Sequence, residues 1–195
     1  MKRLGRREHL EGMGGIAPSA SIGRADIESA AAGDEIAFAR LVAAHNPDMA
    51  RAAYVITGDG GLAQDAVQSA WVIAWRKLGS IRDPLRVRQW LLSIAVNEAR
   101  QIIRRRRRVS VVEIDPQLRA APRTDPAVGI ARLDLVRALA RLSPDDRALL
   151  ALRYVAGVDA AELGALTGRS ASGTRTRLSR LTARLRQELG ATLRG

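Results

Sequence analysis

RVRQWLLSIAVNEARQIIRRRRR, residues 86–108, decides how the rest of this 195-residue chain is read. It has neither Gly nor Pro, and Leu91, Ile94, Ala95 and Ile102 recur at helical spacing. On another side Gln89, Ser93, Asn97, Arg100 and Arg104 follow one another at i, i+4, i+8, i+11 and i+15, a polar stripe about four turns long. The stripe ends in five consecutive arginines, Arg104 to Arg108. An apolar face of this length needs a helical domain to bury it, which leaves amides, a hydroxyl and guanidiniums facing outward. Cations suit the C-terminal end of a helix dipole, and two or three would serve that purpose. Five adjacent like charges repel one another, and a phosphate backbone is the natural compensation.

Composition points the same way. The net charge is +12, and 30 of the 32 basic residues are Arg, whose planar fork suits phosphates and guanine edges. The excess is divided: residues 31–108 and 131–195 each carry +6, and the stretch between them is close to neutral. Two basic blocks predict two anion-binding modules on one chain. There is no Cys, hence no disulfide framework and no thiolate metal site, and His9 and His45 lie too far apart to suggest a ligand pair. No paired carboxylates, metal cluster or phosphate loop argues for an enzyme, and no cofactor is expected. No apolar run approaches 18 residues and the N-terminus has no signal-peptide core, so the chain is expected to be cytoplasmic, with no membrane insertion.

Outward from the opening stretch, residues 1–24 are Gly-rich, mixed in charge and aperiodic, and read as a disordered extension. Helical periodicity starts at Ala25 and passes Ile27, Ala31, Ile36, Phe38 and Leu41, with Asp34 and Glu35 marking a helix start after Gly33. A second helix is expected over 47–57, closed by the break Gly58-Asp59-Gly60-Gly61. A third, 62–78, has a core face of Ala63, Ala66, Val67, Ala70, Ile73, Ala74 and Leu78. Its other face carries Asp65, Gln68, Ser69, Val72, Trp75 and Arg76, an apolar and aromatic surface with polar anchors, as in the centre of a protein interface. The plainer alternative wedges Trp71 and Trp75 into the core.

Residues 109–130 contain Pro116, Pro122 and Pro126 and no sustained period, which predicts a flexible linker. Beyond it, 131–142 is helical, and Ser143-Pro144-Asp145-Asp146 opens another helix with Ser as N-cap, Pro at N1 and an acid at N3. Asp159-Ala160-Ala161-Glu162 opens a short helix that stops at Gly168, and Ser170 caps a long one to about Leu189 with a core stripe of Thr174, Leu178, Leu181, Leu185 and Leu189. Short helix, glycine turn and long helix make a helix-turn-helix, with Gly164 where the two helices cross. Ser172, Arg175, Thr176, Ser179 and Arg180 lie on the outward face of its second helix, where arginines can read guanine edges and hydroxyls can bind phosphates.

Three of these stretches, in this order, resemble the extracytoplasmic-function (ECF) sigma factors, the minimal group of the bacterial sigma-70 family. AQDAVQSAWVIAW, 63–75, is similar to the family's D-x-x-Q helix that binds the polymerase clamp, with Asp65 and Gln68 at the matching positions. RQWLLSIAVNEARQIIRRRRR, 88–108, resembles the helix that captures the minus-ten promoter element, with Trp90, Asn97 and the Arg run matching. LSPDDRALLALRYVAGVDAAELGALTGRSASGTRTRLSRLTARLR, 142–186, resembles the domain that reads the minus-thirty-five element. The resemblance implies an all-α fold of two small helical domains, an N-terminal bundle over 25–108 and a C-terminal helix-turn-helix domain over 131–195. It implies core RNA polymerase and promoter DNA as partners, and an anti-sigma factor that holds the free protein.

Asp65, Gln68, Ser69, Val72 and Trp75 are then the polymerase contacts. Arg86, Arg88, Gln89, Ser93, Asn97, Arg100, Arg104, Arg105, Arg107 and Arg108 are the DNA contacts of the first domain; Arg169, Ser172, Arg175, Thr176, Ser179 and Arg180 are those of the second. The chain departs from the family at Ser69, where an acid is usual, at Ser93 and Val96, where Arg is common, and at Gly173-Thr174, where Thr-Val is usual. A stand-alone helix-turn-helix regulator, dimerising through 30–78, would explain the C-terminal half but leave the Asp65–Gln68 helix and the first basic helix without a purpose.

Overall fold

A computed structural model describes residues 22–81, 83–109 and 134–192. Residues 1–21 of the expected extension and 110–130 of the expected linker lie outside them. Every regular element among the described residues is helical. Helix α1 is Arg24–Ala31, α2 Glu35–Thr57, α3 Gly60–Lys77 and α4 Val87–Val109. Residues 134–140 form α5, followed by α6 (Pro144–Tyr154), α7 (Ala160–Thr167) and α8 (Ala171–Thr192).

Short polar side chains start these helices, because the first amides of a helix have no partner inside it. Asp34 Oδ1 accepts from the Ile36 and Ala37 amides at 2.8 and 3.1 Å, Asp59 Oδ1 from Leu62 at 2.9 Å, and Ser143 Oγ from Asp146 at 3.1 Å. Asp159 Oδ1 accepts from Ala161 and Glu162, both at 2.8 Å.

Two boundaries differ from the sequence expectation. The helices expected before and after Pro47 are one continuous helix, α2. A proline inside a helix removes one backbone hydrogen bond and crowds the preceding turn. Here Leu41 before it and Met49, Ala52, Ala53 and Ile56 after it are all buried in the same core, and that shared burial holds the two halves in line. The Gly60-Gly61 pair is likewise not a break but the first turn of α3, capped by Asp59.

α2, α3 and α4 pack as a three-helix core whose contacts are largely alanines: Ala52, Ala53, Ala66, Ala70, Ala74, Ala95 and Ala99 are fully buried. Small residues let the backbones approach, and Leu41, Met49, Ile56, Leu91, Leu92 and Val96 fill what remains. α1 closes one side of α2 through Ile27 and Ala30. The C-terminal helices do not stand apart. α6 lies against both α2 and α4, and Leu149, Leu150 and Ala151 belong to the same continuous cluster of buried residues as Leu91 and Leu92.

α7, Gly168 at φ +66° and α8 form the helix-turn-helix. Gly164 is where α7 comes closest to the turn: a Cβ there would stand 2.6 Å from the Arg169 carbonyl oxygen and 3.3 Å from the Ala171 amide. Backbone cannot retreat as a flexible side chain can. Gly164→Ala is therefore expected to destabilise the chain by about 1–3 kcal/mol, as overpacking of a filled site does, read as a lower urea midpoint. An unchanged midpoint would mean that the turn is free to open.

Candidate partner and nucleic-acid interfaces

The outward face of α3 is as open as the sequence suggests. Asp65, Gln68, Ser69, Val72 and Trp75 are all exposed, Val72 at 53% and Trp75 at 42% of their full surface. The two tryptophans divide between the readings weighed for them. Trp71 is half-buried, its Nε1 donating to Asn46 Oδ1 at 3.0 Å and its ring edge-on to Phe38 with centroids 5.6 Å apart. Trp75 is held on the other side of Phe38, at 4.7 Å and 73°, with its outer side free. It borders a shallow groove formed with Glu35, Phe38, Ala39 and Val42 of α2. A fixed aromatic ring beside exposed polar side chains has the composition typical of the centre of a protein interface.

On α4 the stripe is only partly open. Gln89 and Ser93 are half-buried, and Ser93 Oγ donates to the Trp90 carbonyl at 2.7 Å, so its hydroxyl is turned onto its own helix. Asn97 is exposed. Arg100 donates to Asp145 Oδ1 through Nε and Nη2 at 3.0 and 2.6 Å, and Arg104 Nη2 reaches both oxygens of that carboxylate at 3.0 and 3.1 Å. Arg88 donates to Asp48 at 2.8 Å and to the carbonyl oxygens of Val155 and Ala156 at 2.9 and 3.3 Å. Arg86 pairs with Glu162 of α7. Arg105 bonds to Gln101 Oε1 one turn back at 3.1 Å, and Arg105, Arg106, Arg107 and Arg108 are all exposed.

These pairings set the electrostatics of the junction. Burial alone would raise the Asp145 carboxyl, but hydrogen bonds from Arg100 and Arg104 outweigh it and hold the group below the usual carboxylate range. At Asp48 burial is likewise outweighed by Arg88 and Arg51. Arg147 of α6 is 6% exposed, and its Nε finds no acceptor; burial and then Arg107 lower its affinity for its proton.

His45 sits at the same junction with a buried, unpartnered Nε2. Burial, reinforced by Arg88 and opposed by Asp48, pushes its pKa below 6.5. The unfolded ring therefore binds a proton more readily than the folded one. Its stabilising effect is complete above pH 6.5 and is lost as the pH falls below that value. The urea midpoint is expected to drop between pH 7 and pH 5, and His45→Gln to flatten that slope. An equal slope in the variant would assign the acid sensitivity elsewhere.

The outward face of α8 is free. Arg169, Ser172, Arg175, Thr176, Ser179 and Arg180 are all exposed. Arg177 turns inward and donates to Asp146 at 2.9 and 2.7 Å, which ties α8 to α6. Thr174 is fully buried, as its place on the core stripe requires. Its hydroxyl is satisfied by the Ser170 carbonyl at 3.0 Å, so the departure from a β-branched hydrocarbon leaves no orphan polar group.

The structure thus brings the α8 residues together on one open face and the α3 residues on another, and commits Arg86, Arg88, Arg100 and Arg104 to the C-terminal half. Their partners were not legible in the sequence. Asp145 reads there as a helix-start acid, and nothing near it points to arginines 41 and 45 positions earlier. Among the described residues no group of three or more His, Cys, Asp or Glu could hold a metal ion, and no helix is long and apolar enough to cross a membrane.

Comparison with known proteins adds names to these surfaces. Residues 41–109 match sigma-70 region 2 and residues 132–185 match sigma-70 region 4. The chain is 30% identical over 183 residues to the ECF RNA polymerase sigma factor SigM of Mycobacterium tuberculosis, covering 90% of this chain and 92% of that protein. It is 31% identical over 172 residues to the probable RNA polymerase sigma factor RfaY of Xanthomonas campestris pv. campestris, a longer protein of which it spans 43%. Among solved structures, the sigma factor RpoE in complex with the anti-sigma factor NepR, from Bartonella quintana, superposes with a TM-score of 0.63 at 25% identity, covering 78% of this chain and 96% of that one.

Proposed function

The chain belongs to the sigma-70 family of RNA polymerase sigma factors, in its ECF group, and from that premise we propose how its surfaces divide the work of starting transcription. Residues 25–108 form the domain that binds core polymerase and the minus-ten element, residues 109–130 a linker, and residues 131–195 the domain that reads the minus-thirty-five element. The exposed α3 face, Asp65, Gln68, Ser69, Val72 and Trp75, holds core polymerase. The outward face of α8 enters a major groove, where Arg175 and Arg180 reach guanine edges, and Arg169, Ser172, Thr176 and Ser179 fix the register on phosphates or bases.

α4 then stabilises the opened strand. Arg86, Arg88, Arg100, Arg104, Arg105, Arg107 and Arg108 neutralise phosphates, and Gln89, Ser93 and Asn97 line a polar pocket for an unstacked base. The chain needs no catalytic group of its own, since bond formation is the polymerase's work, and it acts in the cytoplasm, where that enzyme is. As with the Bartonella sigma factor bound to NepR, an anti-sigma factor is the expected restraint on the free protein.

The observation that supports this most is the coexistence, on one chain, of a polar-aromatic protein-binding face and two separate arginine-bearing faces. A stand-alone regulator needs only one of the three. The test is in vitro transcription with core polymerase over a genomic library. Initiation from a defined set of promoters only when the chain is added supports the assignment; specific binding to a palindromic site without polymerase would overturn it.

A further inference from the structure

We propose that the chain binds one small phosphate-class anion (inorganic phosphate, pyrophosphate or the terminal phosphate of a nucleotide) where α6 meets α4, on the buried guanidinium of Arg147 and the exposed one of Arg107. This does not depend on α4 being a DNA helix.

Among the described residues Arg147 is the one charged side chain that is buried, at 6% exposure. A guanidinium keeps its proton at any ordinary pH, so it cannot become neutral on burial as a lysine can. An apolar residue of similar length would fill the same space without an unpaired charge. Nε of Arg147 has no acceptor. The acids before it in sequence are taken, Asp145 by Arg100 and Arg104, and Asp146 by Arg177 and the Ser143 hydroxyl. The charge that bears on Arg147 is Arg107, of like sign, and no carboxylate offsets it. Five guanidiniums, Arg100, Arg104, Arg107, Arg147 and Arg177, thus gather around two carboxylates.

Two neighbouring guanidiniums, one of them without an acceptor, suit an oxyanion, which spreads its charge over several oxygens and accepts from both forks. Burial then sets the size of the ligand. Each phosphate of a nucleic-acid strand carries sugars on both sides and cannot follow Arg147 to 6% exposure, whereas an ion of a few atoms can. Arg107 is exposed, which gives that ion a way in.

The test is calorimetric titration of the full-length chain with sodium pyrophosphate, at an ionic strength of about 0.15 M held constant with sodium chloride. One site per chain is expected, and at about ten times Kd the ion should raise Tm by about 3–5 °C. Inorganic phosphate should compete for the same site. Arg107→Gln and Arg147→Met should each weaken binding by about tenfold or more, the loss of a charge-assisted bond. Met retains much of the buried length of Arg147, and position 107 is exposed, so a change there does not touch the core. Arg24→Gln removes the same charge from α1, which packs on the 84–86 turn, about 30 Å along α4 from Arg107, and should leave affinity within about twofold.

Absence of saturable binding overturns the proposal. So does an equal loss in Arg24→Gln, because the net charge of +12 would then account for the affinity. Wild-type binding by Arg107→Gln overturns it as well, whether or not Arg147→Met folds. A single-stranded oligonucleotide without terminal phosphates is the last arm. If it displaces pyrophosphate and loses as much affinity in Arg147→Met, the site belongs to a strand phosphate and the small-ion assignment fails.

Discussion

Replacing Asp65 and Gln68 together by alanine is expected to weaken association with core polymerase by about a hundredfold or more, enough to abolish capture in a pull-down. Both side chains are exposed on α3 and form no hydrogen bond among the described residues, so their removal leaves no orphaned partner inside the chain. They flank an apolar patch, Val72 and Trp75, that excludes water once covered, and a polar anchor in such a setting counts for more than one at a wet rim. The fold is expected to stay intact, because the buried face of α3 is unchanged and alanine favours a helix. Far-ultraviolet circular dichroism and the urea midpoint check that condition. Undiminished capture by a folded double variant would remove α3 from the polymerase interface.

Changing Arg105, Arg106 and Arg107 to glutamine should flatten the dependence of promoter affinity on salt for the polymerase-bound chain. Each phosphate neutralised contributes a slope of about 0.7 to 0.9 in a log–log plot. α4 stays helical through Val109, so consecutive residues point about 100° apart and the three side chains spread around the circumference. About two of them can face one strand, for an expected flattening of about 1.5–2 units. Among the described residues none of the three is tied to the C-terminal half by an ion pair, unlike Arg100 and Arg104. Upstream sequence preference should survive, because the α8 face proposed to read it is unchanged. Parallel lines for wild type and variant would leave the arginine run as no more than a solvated helix end.

Local signals were legible residue by residue. Asp34, Ser143 and Asp159 cap helices because a short acceptor before an apolar period can do little else, and Gly164 and Gly168 announce the helix-turn-helix through size and handedness. The faces of α3 followed from a period of 3.6, down to Ala66 and Ala70 inside and Gln68 and Val72 outside. What the period could not give was anything set by the other half of the chain. Pro47 looks like a boundary until the buried residues on both sides of it are seen to share one core. Trp71 and Trp75 are one turn apart and indistinguishable by spacing; Asn46 and Phe38, far earlier in sequence, decide that one is anchored and the other presented. The α4 stripe looked uniformly outward because the mark of its partner is one acid, Asp145, of a kind that any helix start would carry.

The seat of α6 on α4 also bears on how quickly a promoter is found. A genome offers about a million or more wrong sites for each right one, and time lost on each grows with the number of phosphates a protein can neutralise there. With Arg86, Arg88, Arg100 and Arg104 engaged at home, a wandering chain has fewer cations to lend to random duplex, so its visits are short. The outward side of α8 remains available for sampling throughout. Dwell time on the wrong sequence is thereby separated from grip on the right one.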